Sequence, residues 1–210
     1  MKYTLLSVCC ILTFNLIAQN SPLWMRYPAI SPDGTEIVFS YKGDLWKVNS
    51  NGSKAIQLTS HEASDIMPVW SKDGKNIAFA SDRYGNFDVF LMSSEGGEPK
   101  RLTYHSSDDF PSDFNKNDNA VIFSSMRIDN ANCSQFPSAR MPELYIVPVS
   151  GGRVRQMLSI PAESARYNSR GDLIAFHDKK GYEDNWRKHH KSSVTRDIWI
   201  YNTVAGVFSK

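Results

Sequence analysis

The sequence predicts an all-β fold: a β-propeller, incomplete as a ring, of about four blades, each a four-stranded antiparallel sheet. Three observations predict it. One pattern of β-rich runs recurs four times along the chain. Asp-Gly, Asn-Gly or Gly-Gly pairs separate the runs, and their glycines supply the positive backbone angles that tight hairpins need. No window sustains the three- and four-residue apolar spacing of an amphipathic helix, while Gly, Pro, Asn and Asp punctuate the whole length.

The first copy runs from Tyr27-Pro28 through Ser31-Pro32-Asp33-Gly34 to Ile37-Val38-Phe39, then Gly43-Asp44-Leu45-Trp46, Asn51-Gly52 and Leu58-Thr59. The second repeats it with Met67-Pro68, Ser71-Lys72-Asp73-Gly74, Ile77-Ala78-Phe79, Phe87-Asp88-Val89-Phe90, Gly96-Gly97 and Leu102-Thr103. The third keeps Phe110-Pro111, Asn117-Asp118, Val121-Ile122-Phe123, Glu143-Leu144-Tyr145 and Gly151-Gly152. The fourth keeps Arg170-Gly171, Leu173-Ile174-Ala175-Phe176 and Asp197-Ile198-Trp199. Phe39, Phe79, Phe123 and Phe176 space the copies by 40, 44 and 53 residues, the longer periods carrying insertions.

Four strands in about 40 to 45 residues is the mark of a propeller blade, and a single blade cannot bury both of its faces. The expected blades are 24–65, 66–109, 110–163 and 164–210. The last is expected to be incomplete, because Val207-Phe208-Ser209-Lys210 falls where other copies approach their Leu-Thr step. An unclosed ring leaves edges and apolar faces bare, which intact propellers avoid, so the natural chain is expected to be longer.

The 210 residues are 41% hydrophobic and 22% charged, the profile of a globular protein with a real core. A formal net charge of +2 gives no broad pull toward nucleic acid or anionic membrane. Met1 and Lys2 precede an apolar run, Tyr3–Ile17, that ends at the small Ala18. This reads as a secretory signal over residues 1–18, leaving 19–210 as the mature propeller portion. The run is shorter than the roughly 20 residues a membrane-crossing helix needs, so no membrane insertion is expected after cleavage. Cys9 and Cys10 lie inside the signal without the preceding small residue and full apolar core that lipidation requires. Cys133 remains alone, so no internal disulfide is expected. The predicted destination is the periplasm or the extracellular space.

Asp33-Gly34 and Asp73-Gly74 lack the alternating acidic ligands and closing Glu of a calcium loop and read as turns. His61 and His105 each follow a Leu-Thr step. Asp44, Asp88, Glu143 and Asp197 each precede the third strand of a copy. Features copied in every blade point to architecture, with blade-joining hydrogen bonds expected at the histidines. Arg187-Lys188-His189-His190-Lys191 is the densest basic cluster. Neighbouring side chains on an extended segment face opposite ways, which disfavours a metal site at the paired histidines. One short basic run is also a weak footprint for nucleic acid. The insertion is read instead as a loop at the propeller mouth, with Tyr182, Trp186 and Arg187 as candidate contacts for peptide or a partner domain. No Gly-x-Ser-x-Gly elbow, HExxH helix or phosphate-binding glycine loop is present, so no catalytic residue, metal or cofactor is assigned.

The repeat, with Ser-Pro-Asp-Gly before an Ile-x-Phe strand and Gly-Gly before Leu-Thr, resembles the blades of TolB-like propellers and of several peptidases. A sharper likeness lies in Lys180–His190 with Ser192–Trp199, in Tyr41–Trp46 and in Ser81–Asp88, which look like tricorn-like serine proteases. It runs from about Trp24 to the end of the chain. The resemblance implies an amino-terminal propeller followed, in the parent chain, by a PDZ-like module and a catalytic domain with a serine nucleophile and a histidine base. It implies a noncatalytic role here, filtering or guiding unfolded peptides toward that protease core. Expected partners are peptides or proteins, further blades and the protease domain. Two other readings stay open: a TolB-like envelope protein-binding module, and the gate of a prolyl-oligopeptidase-like hydrolase. Subunit assembly is left open too.

Overall fold

The structure, a computed structural model, describes residues 24–127, 142–178 and 197–210. All regular structure among them is β-strand, in four four-stranded sheets. Sheet 1 holds β1 (Arg26–Ile30), β2 (Glu36–Tyr41), β3 (Asp44–Asn49) and β4 (Ile56–Gln57). Sheet 2 holds β5 (Asp65–Trp70), β6 (Asn76–Ser81), β7 (Asp88–Ser93) and β8 (Lys100–Arg101). Sheet 3 holds β9 (Asp109–Phe114), β10 (Ala120–Ser125), β11 (Glu143–Pro148) and β12 (Arg155–Leu158). Sheet 4 holds β13 (Glu163–Tyr167), β14 (Leu173–His177), β15 (Ile198–Asn202) and β16 (Val207–Ser209). In every sheet strands pair antiparallel in chain order, the meander that the repeat predicts. The fourth copy forms all four strands, β16 pairing with β15 through Tyr201 opposite Phe208.

Local chemistry sets the first hairpin of each sheet. Ser31 Oγ donates to Asp33 Oδ1 at 2.5 Å and accepts the Glu36 N–H at 2.9 Å; Ser71 does the same with Asp73 and Asn76 at 2.7 and 2.9 Å. Asn115 and Asn168 replace the serine in sheets 3 and 4, their Oδ1 accepting the N–H of Ala120 and Leu173. Gly34 and Gly74 complete the first two turns at φ +76° and +72°, where a side chain is disfavoured. The Asp-Gly pairs are thus turn devices, as the sequence predicts.

Apolar alternation decides how the sheets stack. Phe79 and Ile77 of β6 join Val38, Leu45 and Trp70 between sheets 1 and 2. The intervening Ala78 faces the other way and packs with Phe114, Val121, Phe123 and Tyr145 between sheets 2 and 3. Ile122 packs with Leu144, Ile174 and Phe176 between sheets 3 and 4. β6 and β10 are therefore buried on both faces, and full burial of each large apolar side chain contributes about 1.5–3 kcal/mol. The end sheets have a neighbouring sheet on one face only among the described residues. In sheet 4, Ile198 and Ile200 point outward at 62% and 37% exposure, and in sheet 1 Ile30 does so at 62%.

First strands of successive sheets lie side by side, β1 on β5, β5 on β9 and β9 on β13, and no comparable packing returns from β13 to β1. The described residues form an arc of an open propeller. Polar ties reinforce it. Asp118 of sheet 3 accepts the backbone N–H groups of Lys72 and Asp73 at 2.7 and 2.9 Å, capping the sheet 2 turn. Asp113, almost wholly buried on β9, accepts from Lys72 Nζ of sheet 2 at 2.7 Å and from the Tyr167 N–H of sheet 4 at 2.8 Å. Lys47 of sheet 1 reaches Glu95 of sheet 2 at 3.3 Å while pairing with Glu36.

Candidate functional site

In an antiparallel meander the connections from strand 2 to strand 3 emerge at the same end as those joining one sheet to the next. Here that end gathers Lys42-Gly43, residues 82–87 and the linkers after β4, β8 and β12, and it is where the described chain breaks off at Arg127 and Asp178 and resumes at Pro142 and Asp197. Tyr182, Trp186 and Arg187, with the Arg187–Lys191 cluster and Cys133, lie outside the described residues, as do residues 1–18, where a secretory signal is expected. The base of the second insertion is described. The Asp178 and Asp197 backbones bond each other, Asp178 Oδ1 accepts the Asp197 N–H at 2.9 Å, and Asp178 Oδ2 accepts from the Trp199 indole at 3.1 Å. The two strands are pinned where that connection begins and returns.

The acids that open each third strand share one contact, always with the residue thirteen positions later. Gln57 donates to Asp44 at 2.9 Å, Arg101 to Asp88 at 2.6 Å and Gln156 to Glu143 at 2.6 Å, and Lys210 pairs with Asp197. In sheets 1 and 2 the threonine of the Leu-Thr step joins in, its Oγ1 accepting the N–H of Leu45 or Val89 at 2.9 Å. The contact bolts strand 4 to strand 3, which makes these acids architectural. Asp88 is fully buried, and burial pushes its carboxyl up while the Arg101 charge pulls it back.

A second repeated device lies at the mouth of the inner strands. Asp65, fully buried, takes Arg83 at 2.8 Å, and Asp109, equally buried, takes Arg127. Each guanidinium also lies over two core rings, Arg83 over Phe79 and Phe90 and Arg127 over Phe123 and Tyr145. The aromatic pair replaces part of the hydration the ions give up.

The histidines behave differently from expectation. His61 Nδ1 accepts the Ala63 N–H at 2.9 Å, and His105 Nδ1 accepts the Ser107 N–H at 3.0 Å. Each imidazole folds its own linker into a turn, because a donor two residues on is reached at less entropic cost than a neighbouring sheet. The blade-joining bonds come from elsewhere: the Asp65 N–H to Gly43 O and the Asp109 N–H to Phe87 O, both at 2.7 Å.

At this end sheet 2 departs from the repeat. Connection 82–87 is four residues longer than Lys42-Gly43 and carries Tyr84, while the linker after β8 carries Tyr104. The Arg101 guanidinium lies 4.2 Å from the Tyr84 ring centre and 4.6 Å from that of Tyr104, yet the tyrosines are 63% and 72% exposed. The legible signal was a departure from the repeat, since the residues matching Arg101 are Gln57, Gln156 and Lys210.

Stacked antiparallel meanders tied by recurring architectural acids define a β-propeller. The family model described as the tricorn protease N-terminal beta propeller domain matches residues 22–210, and the chain belongs to that family. Dipeptidyl-peptidase 5 of Porphyromonas gingivalis is 34% identical over 71 residues, covering 29% of this chain and 10% of the relative. A TolB homologue of Chlorobium luteolum is 34% identical over 58 residues, covering 28% of this chain and 13% of the relative. The crystal structure of TolB from Acinetobacter baumannii superposes with a TM-score of 0.62 at 17% identity, covering 88% of this chain and 42% of that one. The chain thus spans a small part of the curated relatives it matches.

Proposed function

We propose that this chain is the noncatalytic propeller portion of an exported tricorn-like serine peptidase, and that it guides unfolded peptide to a catalytic domain outside the sequence. Family membership across residues 22–210 carries the reading. The described connections support it, because a rigid arc of sheets sends its strand 2 to strand 3 turns and its sheet-to-sheet linkers out at one end, and recognition loops of rigid scaffolds concentrate at such ends. The insertion between β14 and β15 takes the contact role through Tyr182, Trp186 and Arg187. In the full-length protein, alanine at these three positions should slow turnover of an unfolded protein several-fold and leave turnover of a fluorogenic tripeptide unchanged. Equal turnover of the unfolded protein by variant and parent refutes the role.

The short match to a TolB homologue favours a second reading, a protein-binding module of the cell envelope. Intact-mass measurement of the native secreted protein separates the two. A product large enough to carry a serine peptidase domain supports the first, and a closed propeller alone supports the second.

A further inference from the structure

Four copies of one unit allow a simple comparison: what every copy shares serves the fold, and what one copy carries alone is not required by it. The bond from the strand-4 residue to the strand-3 acid is shared, and glutamine makes it in sheets 1 and 3. Only in sheet 2 is that residue an arginine, and among the described residues only there do two tyrosines accompany it. Ser60 and Ile160 stand where Tyr104 does, and the two-residue turn of sheet 1 has no counterpart of Tyr84.

The cluster is held rigidly. Arg101 Nη2 donates to Asp88 at 2.6 Å and its Nε to the Thr103 carbonyl at 2.8 Å, which leaves Nη1 without a partner among the described residues. The Tyr84 ring lies parallel to the buried Phe90 at 6.2 Å, and the Tyr104 hydroxyl donates to the Arg101 carbonyl at 3.1 Å. Asn86 Nδ2 donates to the carbonyls of His105 and Ser107 at 2.9 and 3.1 Å, locking the Tyr84 connection to the Tyr104 linker. Two large rings thus stay exposed in a fixed geometry, and rigid Tyr and Arg side chains are the residues that dominate protein recognition surfaces.

The charge around the cluster selects the occupant. Arg101 is already neutralised by Asp88, and Asp82 and Asp108 sit in the same two connections, their Oδ1 atoms capping the N–H groups of Ser64 and Phe87. Arg83, in the same connection, is likewise neutralised by Asp65, so the net charge here is negative and repels a phosphate or polyanion, whereas a neutral carbonyl is not repelled.

We propose that Tyr84, Arg101 and Tyr104 form a binding platform for an extended, uncharged stretch of polypeptide. Its flat or apolar side chains pack on the two rings, and one main-chain carbonyl accepts from Arg101 Nη1. The assignment stands apart from the peptidase reading, since a guided peptide and a segment of a protein partner present the same chemistry.

The test uses the full-length protein and, as the probe, a peptide of about 20 Ser, Gln, Leu and Phe residues with blocked ends, an uncharged fluorophore and no ionisable side chain, its integrity checked by mass spectrometry and its binding read by anisotropy. Tyr84→Ala and Tyr104→Ala should each weaken binding about tenfold, and Arg101→Gln, which keeps the Asp88 bond as sheets 1 and 3 do, by about five- to tenfold. Raising salt from 50 to 500 mM should change affinity less than twofold. A benzoylphenylalanine at position 104 should crosslink the probe, and one at the 85% exposed Val204 should not. Binding within twofold of the parent in all three variants, or crosslinking equal at both positions, overturns the proposal. So does displacement of the probe by oligothymidine or laminarihexaose.

Discussion

Removing the guanidinium from Asp88 is the most informative single change, because the structure supplies both its cost and a pH signature. Arg101→Ala takes away a charge-assisted bond of 2.6 Å and leaves a carboxylate of zero exposure with only Thr103 Oγ1, at 3.2 Å. Stranding a buried charge costs 3–5 kcal/mol in fully dry sites, and the one-fifth exposure of Arg101 places this one near the lower end, about 3 kcal/mol. That is a factor of roughly 150 in the folding equilibrium. The carboxyl is already raised above its ordinary value of 3.8 by burial, with Arg101 opposing, so the alanine raises it further. A raised folded-state value means that stability is full below the unfolded value and falls as pH climbs through the folded one. The deficit against the parent should therefore be largest at pH 7 and shrink as pH drops toward 3.8. Urea unfolding of both proteins at pH 7, 6, 5 and 4 measures it. A deficit constant across those pH values would mean that only packing was lost and refute the electrostatic account.

Three further outcomes follow from the same coordinates. Phe79→Ala, at a fully buried ring stacked 5.8 Å from Phe90, should cost about 3–5 kcal/mol in urea unfolding, while Ile198→Ala on the bare face of sheet 4 should cost less than about 1. Asp118→Ala removes the cap shared by Lys72 and Asp73 and puts alanine at φ +53°; a loss of about 2 kcal/mol and faster hydrogen exchange at those two amides are expected. Asp33 is lowered to about 2 by Ser31 Oγ and then the Thr35 N–H, and Asp73 and Asp172 are lowered by Ser71 and Asn168. These folded values lie below the unfolded one, so their contribution is present above pH 3.8 and lost as pH falls toward 2. Asp33→Asn should flatten that part of the acid-unfolding curve.

The repeat made the fold legible, since glycine turns, alternating apolar residues and a recurring Phe each carry a local physical demand that the sheets meet. Architectural acids were legible for the same reason: Asp44, Asp88, Glu143 and Asp197 recur, though their thirteen-residue partners differ as Gln, Arg, Gln and Lys and so escape a motif. The partner of His61 and His105 was not legible, because recurrence says that a contact exists without saying how far it reaches. Tyr84, Arg101 and Tyr104 were hidden by the habit of reading copies for what they share. Their proximity depends on Asn86 joining two connections about twenty residues apart, which no spacing rule encodes.

The double-sided burial of β6 and β10 bears on how the chain tolerates change. A saturation scan along these two strands should find every second position as intolerant as the one before it. The same scan along β15 should show a two-residue rhythm, since one face there answers to no neighbour among the described residues. Selection acting on this arc is therefore graded by distance from its middle, and its centre offers the least freedom to drift.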